Sequence, residues 1–260
     1  MKRIAFVAAI ALAAMLPPPA AADAGTVVVF AAASLREAFE AAAPAFAKHT
    51  GFTVTFSFAG SDTLLAQLKQ GAPADVFASA NPAQMKAAAD AGLLAGAART
   101  FAHNRLIAIV PKDNPAKIAA LADLARPGVS IVLAAASVPI GAYARTAFHG
   151  RDGKPGFPAD FAAAVERNVV SNELDVKSVT TKIALGEGDA GVVYATDVTP
   201  ALAARVTTIA FPPGTSPDAI YPIATLKAAP NAAGARAFVA FVLSPAGQAF
   251  LKARGFASPP

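Results

Sequence analysis

The sequence predicts an α/β fold of two lobes, in which each lobe is a mixed, mostly parallel sheet flanked by helices. Short apolar runs rich in β-branched residues alternate with Ala-rich stretches at helical spacing. Three such strand-to-helix units follow one another directly, which is typical of a parallel sheet with helices on both faces. The alternation is interrupted near residues 103–107 and 212–219, where we expect the chain to cross between the lobes.

The three units lie at the start of the first lobe. The run TVVVFA at residues 26–31 predicts a buried strand, and apolar side chains recur at helical spacing over residues 35–48. Glycines that follow two of the helical stretches predict where those helices end. The remaining elements predicted here are strands at residues 52–58 and 74–79 and helices at residues 63–70 and 82–91.

The same alternation continues through the second lobe until the breaker cluster PPGTSP at residues 212–217. We assign residues 25–105 and 215–260 to the first lobe and residues 106–214 to the second. Periodicity alone is also compatible with one large sheet. In the second lobe the predicted strands are at residues 106–110, 130–134, 190–194 and 206–211, and the predicted helices are at residues 115–125, 139–149, 160–167 and 175–185. In the returning part of the first lobe we predict a strand at residues 221–226 and helices at residues 231–243 and 245–254.

The first 24 residues have the features of a cleaved export signal. Lys2 and Arg3 precede an apolar run at residues 4–16, and Ala22-Asp23-Ala24 has the small-x-small form of a signal-peptidase site. The run is about 13 residues long, whereas a membrane helix needs roughly 20. We therefore expect cleavage after Ala24 and a free protein in the periplasm, since no Cys is present for lipid attachment. A buried N-terminal helix is the alternative.

Composition narrows the class of protein. With 55% hydrophobic residues and no Cys, the chain must rely on its core rather than on disulfides. The formal net charge of +5 is spread along the sequence, and no two Lys or Arg residues are adjacent after the predicted signal. This pattern does not predict a nucleic-acid-binding face, but it is compatible with weak attraction of a small anion.

The catalytic templates are missing. His49, His103 and His149 stand apart without metal-type spacing, neither Gly-x-Ser sequence is completed by a second Gly, and there is no phosphate-binding loop. The sequence therefore predicts neither an enzyme nor a cation site nor a cofactor. A triad assembled in space from distant residues escapes such a scan.

Two turns of the first lobe place a hydroxyl where a strand leads into a helix. Ser34 precedes a helix and Glu37 follows three positions later, which is the pattern of a capping box. In the second turn Gly60 allows a close approach of the backbone and Ser61 offers a hydroxyl. Helix N-termini carry free N–H groups and a partial positive charge, so both turns are candidate anion sites as well as ordinary helix caps.

Three positions of the second lobe complete the candidate site. Pro139 starts a helix and leaves the N–H of Ile140 free, and Asp175 is expected to cap another helix that begins at Val176. Tyr194 ends a buried strand, at the edge where open α/β sheets bind ligands. A half-buried core aromatic is the alternative for Tyr194.

Six segments in order carry a resemblance over residues 26–256. Together they resemble the periplasmic molybdate-binding proteins of molybdate ABC transporters. The order of the six segments along the chain, rather than any single segment, makes this resemblance specific. The segments are AAASL at residues 31–35, SFAGSDTLLAQL at 57–68, GAPADVFASA at 71–80, NRLIAIVPK at 104–112, SVPIGAYA at 137–144 and GVVYATD at 191–197.

The resemblance implies a type II periplasmic binding protein fold with molybdate or tungstate in the cleft between the lobes. It implies hydroxyl contacts from Ser34 and Ser61, backbone contacts near Ile140 and Val176, and a contact from the Tyr194 hydroxyl. It also implies a monomer that does not span the membrane, has no cofactor and delivers the anion to an inner-membrane ABC permease. Within this site we expect the Asp62 carboxylate to point outward and serve the first helical turn, and Ile140 is bulkier than expected beside an anion.

Three alternatives remain at this point. The nearest is the same fold with sulfate, phosphate or a small carboxylate as its ligand. An exported hydrolase with a spatially assembled site is the second, and a sensor or adhesion module without transport is the third.

Overall fold

In a computed structural model, which describes residues 25–150 and 157–259, the chain folds around two five-stranded sheets. The predicted export signal at residues 1–24 lies outside the described residues. The strands are β1 Thr26–Ala32, β2 Thr53–Ala59, β3 Val76–Ala78, β4 Arg99–Asn104, β5 Leu106–Pro111, β6 Ile131–Ala134, β7 Val169–Glu173, β8 Ala190–Tyr194, β9 Val206–Ala210 and β10 Ala219–Thr225. The helices are α1 Arg36–Thr50, α2 Ser61–Lys69, α3 Pro82–Asp90, α4 Pro139–His149, α5 Phe161–Arg167, α6 Val176–Ala184, α7 Pro200–Ala203, α8 Ala232–Leu243 and α9 Pro245–Ala253.

The first sheet, with its helices, forms the first lobe and has the strand order β2-β1-β3-β10-β4. Strand β1 pairs in parallel with β2 and β3, whereas β10 is antiparallel to β3 and β4. Because β1 lies inside the sheet with both faces covered, it reads as a continuous apolar run rather than an alternating one. Its C-terminal end therefore meets the C-terminal ends of β2 and β3 at one edge of the sheet.

The second sheet forms the second lobe and has the order β7-β6-β8-β5-β9. Strand β6 is parallel to β7 and β8, and β5 is antiparallel to β8 and β9. The prediction of two mixed sheets is confirmed, but the sheets are not mostly parallel as predicted, because each has two parallel and two antiparallel pairs. The chain leaves the first sheet between β4 and β5 and returns between β9 and β10.

The helix predicted at residues 115–125 is wrong, because only a short 3₁₀ helix forms at Leu121–Ala125. Side chains capture the backbone groups that a helix would use. The Asn114 amide binds both the N–H and the carbonyl of Ile118, and the Asp123 carboxylate accepts the N–H groups of Ala119 and Ala120. Such local bonds compete with helix formation.

Strand β7 was not predicted from the sequence. Its sequence VVSNE has no continuous apolar run and no strict alternation, and its residues are half-buried or exposed. It lies at the edge of the second sheet, where only one neighbour constrains the side chains.

Aromatic packing fixes α1 and α8 against the first sheet. The Phe238 ring of α8 lies edge-on to Phe39 and Phe46 of α1, with ring centroids 5.5 and 5.2 Å apart. This contact holds the start of α1 in place beside the end of β1. Within the described residues no single helix is long and apolar enough to cross a membrane, although α8 and α9, bent by 62°, meet the length and composition test as a pair.

Candidate functional site

The five residues selected from the sequence line one cavity between the lobes. Ser34 and Ser61 come from the first lobe, and Ile140, Val176 and Tyr194 come from the second. The cavity has a volume of about 10 Å³, roughly the space that one water molecule needs. Pockets for drug-sized molecules have roughly 300–1,000 Å³, so this cavity suits a small ion rather than an organic molecule. The other lining residues are Ala32, Ala33, Ala59, Gly60, Ala80, Val138, Pro139 and Asp175.

Ser34 is held at the end of β1 and is almost fully buried. The chain first makes a 3₁₀ turn at Ala33–Leu35, and α1 begins only at Arg36. The predicted capping box is therefore wrong, because the N-cap residue of α1 is Leu35 and no side chain caps this helix. The Ser34 Oγ atom instead lies 3.0 Å from the hydroxyl oxygen of Tyr221.

Ser61 is the first residue of α2 and is also buried. Its Oγ atom accepts a hydrogen bond from the Ala80 N–H at 3.0 Å. A hydroxyl that accepts in this way still has its own proton to donate, so Ser61 can serve the cavity as a donor. Ala80 was missed in the sequence, where the only signal was its place just after the buried strand β3.

Ile140 and Val176 lie at the N-termini of α4 and α6. The first N–H groups of a helix have no partner within that helix, so both residues can offer a backbone donor. No side chain caps α4, and in α6 the Asp175 carboxylate accepts from the Ser178 N–H at 2.9 Å and leaves the Val176 N–H free of that cap. The side chains of Ile140 and Val176 belong to the hydrophobic core, so the bulk of Ile140 is accommodated there.

Tyr194 ends β8 with its ring buried against that of Tyr221, at a centroid distance of 5.6 Å. The Tyr194 hydroxyl is buried and has no hydrogen-bond partner among the described residues. Burial raises the pKa of Tyr194 well above its ordinary value, and the Tyr221 and Tyr143 hydroxyls add to the rise. The hydroxyl is therefore a neutral donor, and a buried donor of this kind calls for a ligand or a water.

The cavity is lined by hydrogen-bond donors but by no positively charged side chain. None of its lining residues is Lys, Arg or His. The first residues of α2, α4 and α6 all line it, so the partial positive charges of three helix N-termini meet there. Asp175 is the one acidic lining residue, and its carboxylate is engaged in capping α6. This arrangement can bind a small anion.

A cross-cleft ion pair joins the lobes beside the cavity. The Lys177 Nζ atom of α6 lies 2.8 and 2.9 Å from the two carboxylate oxygens of Glu37 in α1, and 3.1 Å from Oδ1 of the buried Asp197. Burial alone lowers the pKa of Lys177, but the carboxylates of Asp197 and Glu37 outweigh it and the pKa is raised. Burial raises the pKa of Asp197, although Lys177 opposes the rise.

Two further contacts cross the cleft. The Ser137 hydroxyl donates to Asp62 Oδ2 at 2.7 Å, and the Gln84 side-chain amide donates to the Ser137 carbonyl at 3.0 Å. Asp62 does not line the cavity, but the expectation of an outward carboxylate that serves the first turn of α2 is wrong, because Oδ2 binds the second lobe and Oδ1 is buried without a hydrogen-bond partner among the described residues. Gly60 approaches the Leu174 carbonyl so closely that a side chain would not fit.

The histidines do not join the site. His103 pairs with Asp218, His149 lines a separate groove on the second lobe, and no His lines the cavity that holds Ser34 and Ser61. In the part of the chain that the structure describes, no three His, Asp or Glu side chains are grouped so as to hold a metal ion.

The chain is similar to known proteins in both its sequence and its fold. The model of a family described as bacterial extracellular solute-binding protein matches residues 27–257. The molybdate-binding protein ModA of Mycobacterium tuberculosis (strain H37Rv) is 42% identical over 248 residues, which cover 93% of this chain and 90% of that protein. Among solved structures, the periplasmic molybdate-binding protein of Azotobacter vinelandii has a TM-score of 0.75 at 23% identity, covering 90% of this chain and 100% of that one. The sulfate-binding protein SubI of Mycobacterium tuberculosis has a TM-score of 0.79 at 19% identity, covering 90% and 87%. These two structures share the fold and confirm the predicted two-lobed architecture.

Proposed function

Because this chain belongs to the family of bacterial extracellular solute-binding proteins, we propose that it captures molybdate with high affinity and delivers it to the permease of an ABC transporter. Tungstate, which has nearly the same size and shape, is the second expected ligand. In this proposal the mature protein is a periplasmic monomer, cleaved after about Ala24. It performs no turnover and uses no cofactor, since the metal is held as an oxyanion.

The observation that carries the proposal is a small cavity lined by neutral donors from both lobes. A tetrahedral dianion has four acceptor oxygens, and about five to seven converging N–H and O–H donors can replace its water shell. We propose that the donors are the hydroxyls of Ser34, Ser61 and Tyr194 and the N–H groups near Ile140 and Val176. Helix N-termini supply the balancing partial charge without a counter-ion.

The donor set disfavours two of the alternative ligands. A carboxylate or a phosphate is commonly held by Arg or Lys, and the cavity lining contains neither. Sulfate is the harder rival, because a sulfate-binding protein shares this fold. The sequence relative at 42% identity, however, is a molybdate-binding protein, and it covers almost the whole chain.

Other classes of function find less support in the cavity. An exported hydrolase built on Ser34 or Ser61 needs a general base, and no His lines the cavity. A turnover screen in which activity disappeared with Ser34→Ala would favour the hydrolase. A sensor or adhesion module would bind the anion equally well, and transport of labelled molybdate by cells with and without this protein separates it from a transport protein.

Isothermal titration of the mature protein with molybdate, tungstate, sulfate and phosphate tests the proposal. We expect molybdate and tungstate to bind more tightly than about micromolar, which corresponds to roughly 8 kcal/mol. Sulfate should bind much more weakly, because it is smaller than a site whose donors are fixed at helix ends. If neither molybdate nor tungstate reaches that affinity, the capture function is lost. If sulfate binds best, the sulfate alternative replaces it.

A further inference from the structure

We propose that Tyr221 and Asn104 are positioning residues that orient the Ser34 hydroxyl so that its proton faces the anion. The inference rests on the proposed function, since it assigns a role within the same site. Neither residue lines the cavity, and both act through Ser34. Tyr221 lies on β10, 187 positions from Ser34 along the chain.

The chain of hydrogen bonds starts at Asn104, whose amide orientation is fixed by its neighbours. The Arg105 N–H, which can only donate, lies 2.9 Å from Asn104 Oδ1. The amide nitrogen must therefore face the other way, where it donates to Thr196 Oγ1 at 2.8 Å and makes a longer contact of 3.4 Å with the Tyr221 hydroxyl oxygen. An amide nitrogen has no acceptor capacity, so the Tyr221 proton cannot point toward Asn104.

The Tyr221 proton then has one acceptor among its hydrogen-bond partners. These partners are Asn104 and Ser34, and only the Ser34 oxygen can accept. The nearby Tyr194 hydroxyl also interacts with that of Tyr221, but it makes no hydrogen bond of normal geometry in the described part of the chain, so Ser34 at 3.0 Å is the better acceptor. Burial raises the pKa of Tyr221 well above its ordinary value, which keeps the proton on the phenol.

The direction of the chain makes Ser34 a donor toward the cavity. Its oxygen accepts from Tyr221 at 3.0 Å, and its own proton has no hydrogen-bond acceptor within the described residues. A ligand oxygen in the cavity supplies that acceptor. Ser61 is oriented in the same sense by the Ala80 backbone N–H. The two serines thus present protons rather than lone pairs, but only the orientation of Ser34 depends on a side chain that can be replaced.

A double-mutant cycle tests the inference by molybdate titration of four proteins: the unmodified chain, Tyr221→Phe, Ser34→Ala and the double variant. Tyr221→Phe keeps the buried ring and removes the hydroxyl. We expect it to weaken molybdate binding about 3- to 10-fold, the usual effect of one neutral hydrogen bond. In the Ser34→Ala background the same change should alter the affinity less than about 2-fold, because there is no hydroxyl left to orient.

Phe256→Leu is the matched packing control. The Phe256 ring lies edge-on to Tyr221 at 5.4 Å, so this change disturbs the packing of the tyrosine and leaves its hydroxyl in place. It should lower the melting temperature with molybdate affinity nearly unchanged. The inference is overturned if Tyr221→Phe weakens molybdate binding equally in the unmodified chain and in the Ser34→Ala variant. It is also overturned if Tyr221→Phe weakens binding in neither protein. In both cases the proposed function stands. If the unmodified chain binds none of the four anions, both are overturned.

Discussion

Gly60 provides the sharpest test of whether the lobes must close on the ligand. A Cβ atom at residue 60 would lie 2.4 Å from the backbone oxygen of Leu174 in the other lobe. The backbone at Gly60 has φ −58° and ψ 140°, which any residue adopts, so within the first lobe Gly60→Ala only requires the Asp62 carboxylate to shift, since its Oδ1 would lie 2.7 Å from the Cβ atom. Ordinary contact begins near 3.4 Å, so the substitution should hold the lobes about 1 Å further apart at this point.

A displacement of about 1 Å is enough to break hydrogen bonds between a fixed anion and one of the two lobes, since bonds near 2.9 Å would lengthen beyond the usual range. Each hydrogen bond to a charged group contributes about 1.5–3 kcal/mol. Loss of one such bond should weaken molybdate binding about 10- to 100-fold, since about 1.4 kcal/mol corresponds to a factor of ten. Folding stability should change little, because the backbone clash with Leu174 exists only in the closed arrangement and the contact within the lobe is with the end of the Asp62 side chain.

Titration calorimetry and thermal unfolding of Gly60→Ala and Gly96→Ala measure both quantities. Gly96 is the control, because a Cβ there meets nothing within 4 Å and its φ is not in the left-handed region. We expect the control to bind like the unmodified protein. Unchanged molybdate affinity in Gly60→Ala, or an equal loss in Gly96→Ala, would refute the argument that this glycine permits closure.

Three further substitutions probe the site and its rim. Ser61→Ala should weaken molybdate binding by about 1 to 3 kcal/mol in the same titration, because it leaves an anion oxygen unpaired in a dry site. Tyr194→Phe should weaken binding by a similar amount with a nearly unchanged melting temperature, since its hydroxyl has no protein partner in the described residues. A lower melting temperature with unchanged affinity would instead assign Tyr194 to the core. Glu37→Gln should weaken binding by about 1 kcal/mol, less at high salt, because the half-exposed Lys177 partner keeps Asp197. Affinity that responds neither to the substitution nor to salt would contradict a role of the ion pair in closure.

The sequence was sufficient to predict those strands, helices and site residues that depend on a local pattern of residues. Strand β1 and helix α2 follow from apolar periodicity, and the cavity lies where strands end and helices begin, so Ser61 and Val176 could be selected without a structure. The capping role given to Ser34 was wrong for a physical reason. Its hydroxyl meets Tyr221, which arrives from the other end of the chain. A capping box is recognised from four neighbouring residues, and no local pattern reports a competitor so distant in sequence.

The ion pair between Glu37 and Lys177 could not be predicted for the same reason, although both residues sit beside positions that the sequence did select. Their placement explains how a site without basic side chains can still respond to charge. Inside the cavity, a Lys or Arg would have to lose its hydration whenever the lobes closed without a ligand, and neutral donors avoid most of that penalty. At the rim, the pair remains partly hydrated and forms across the cleft. The anion and the rim pair therefore stabilise the same closed arrangement by separate contacts, so weakening either should lower ligand affinity without unfolding a lobe.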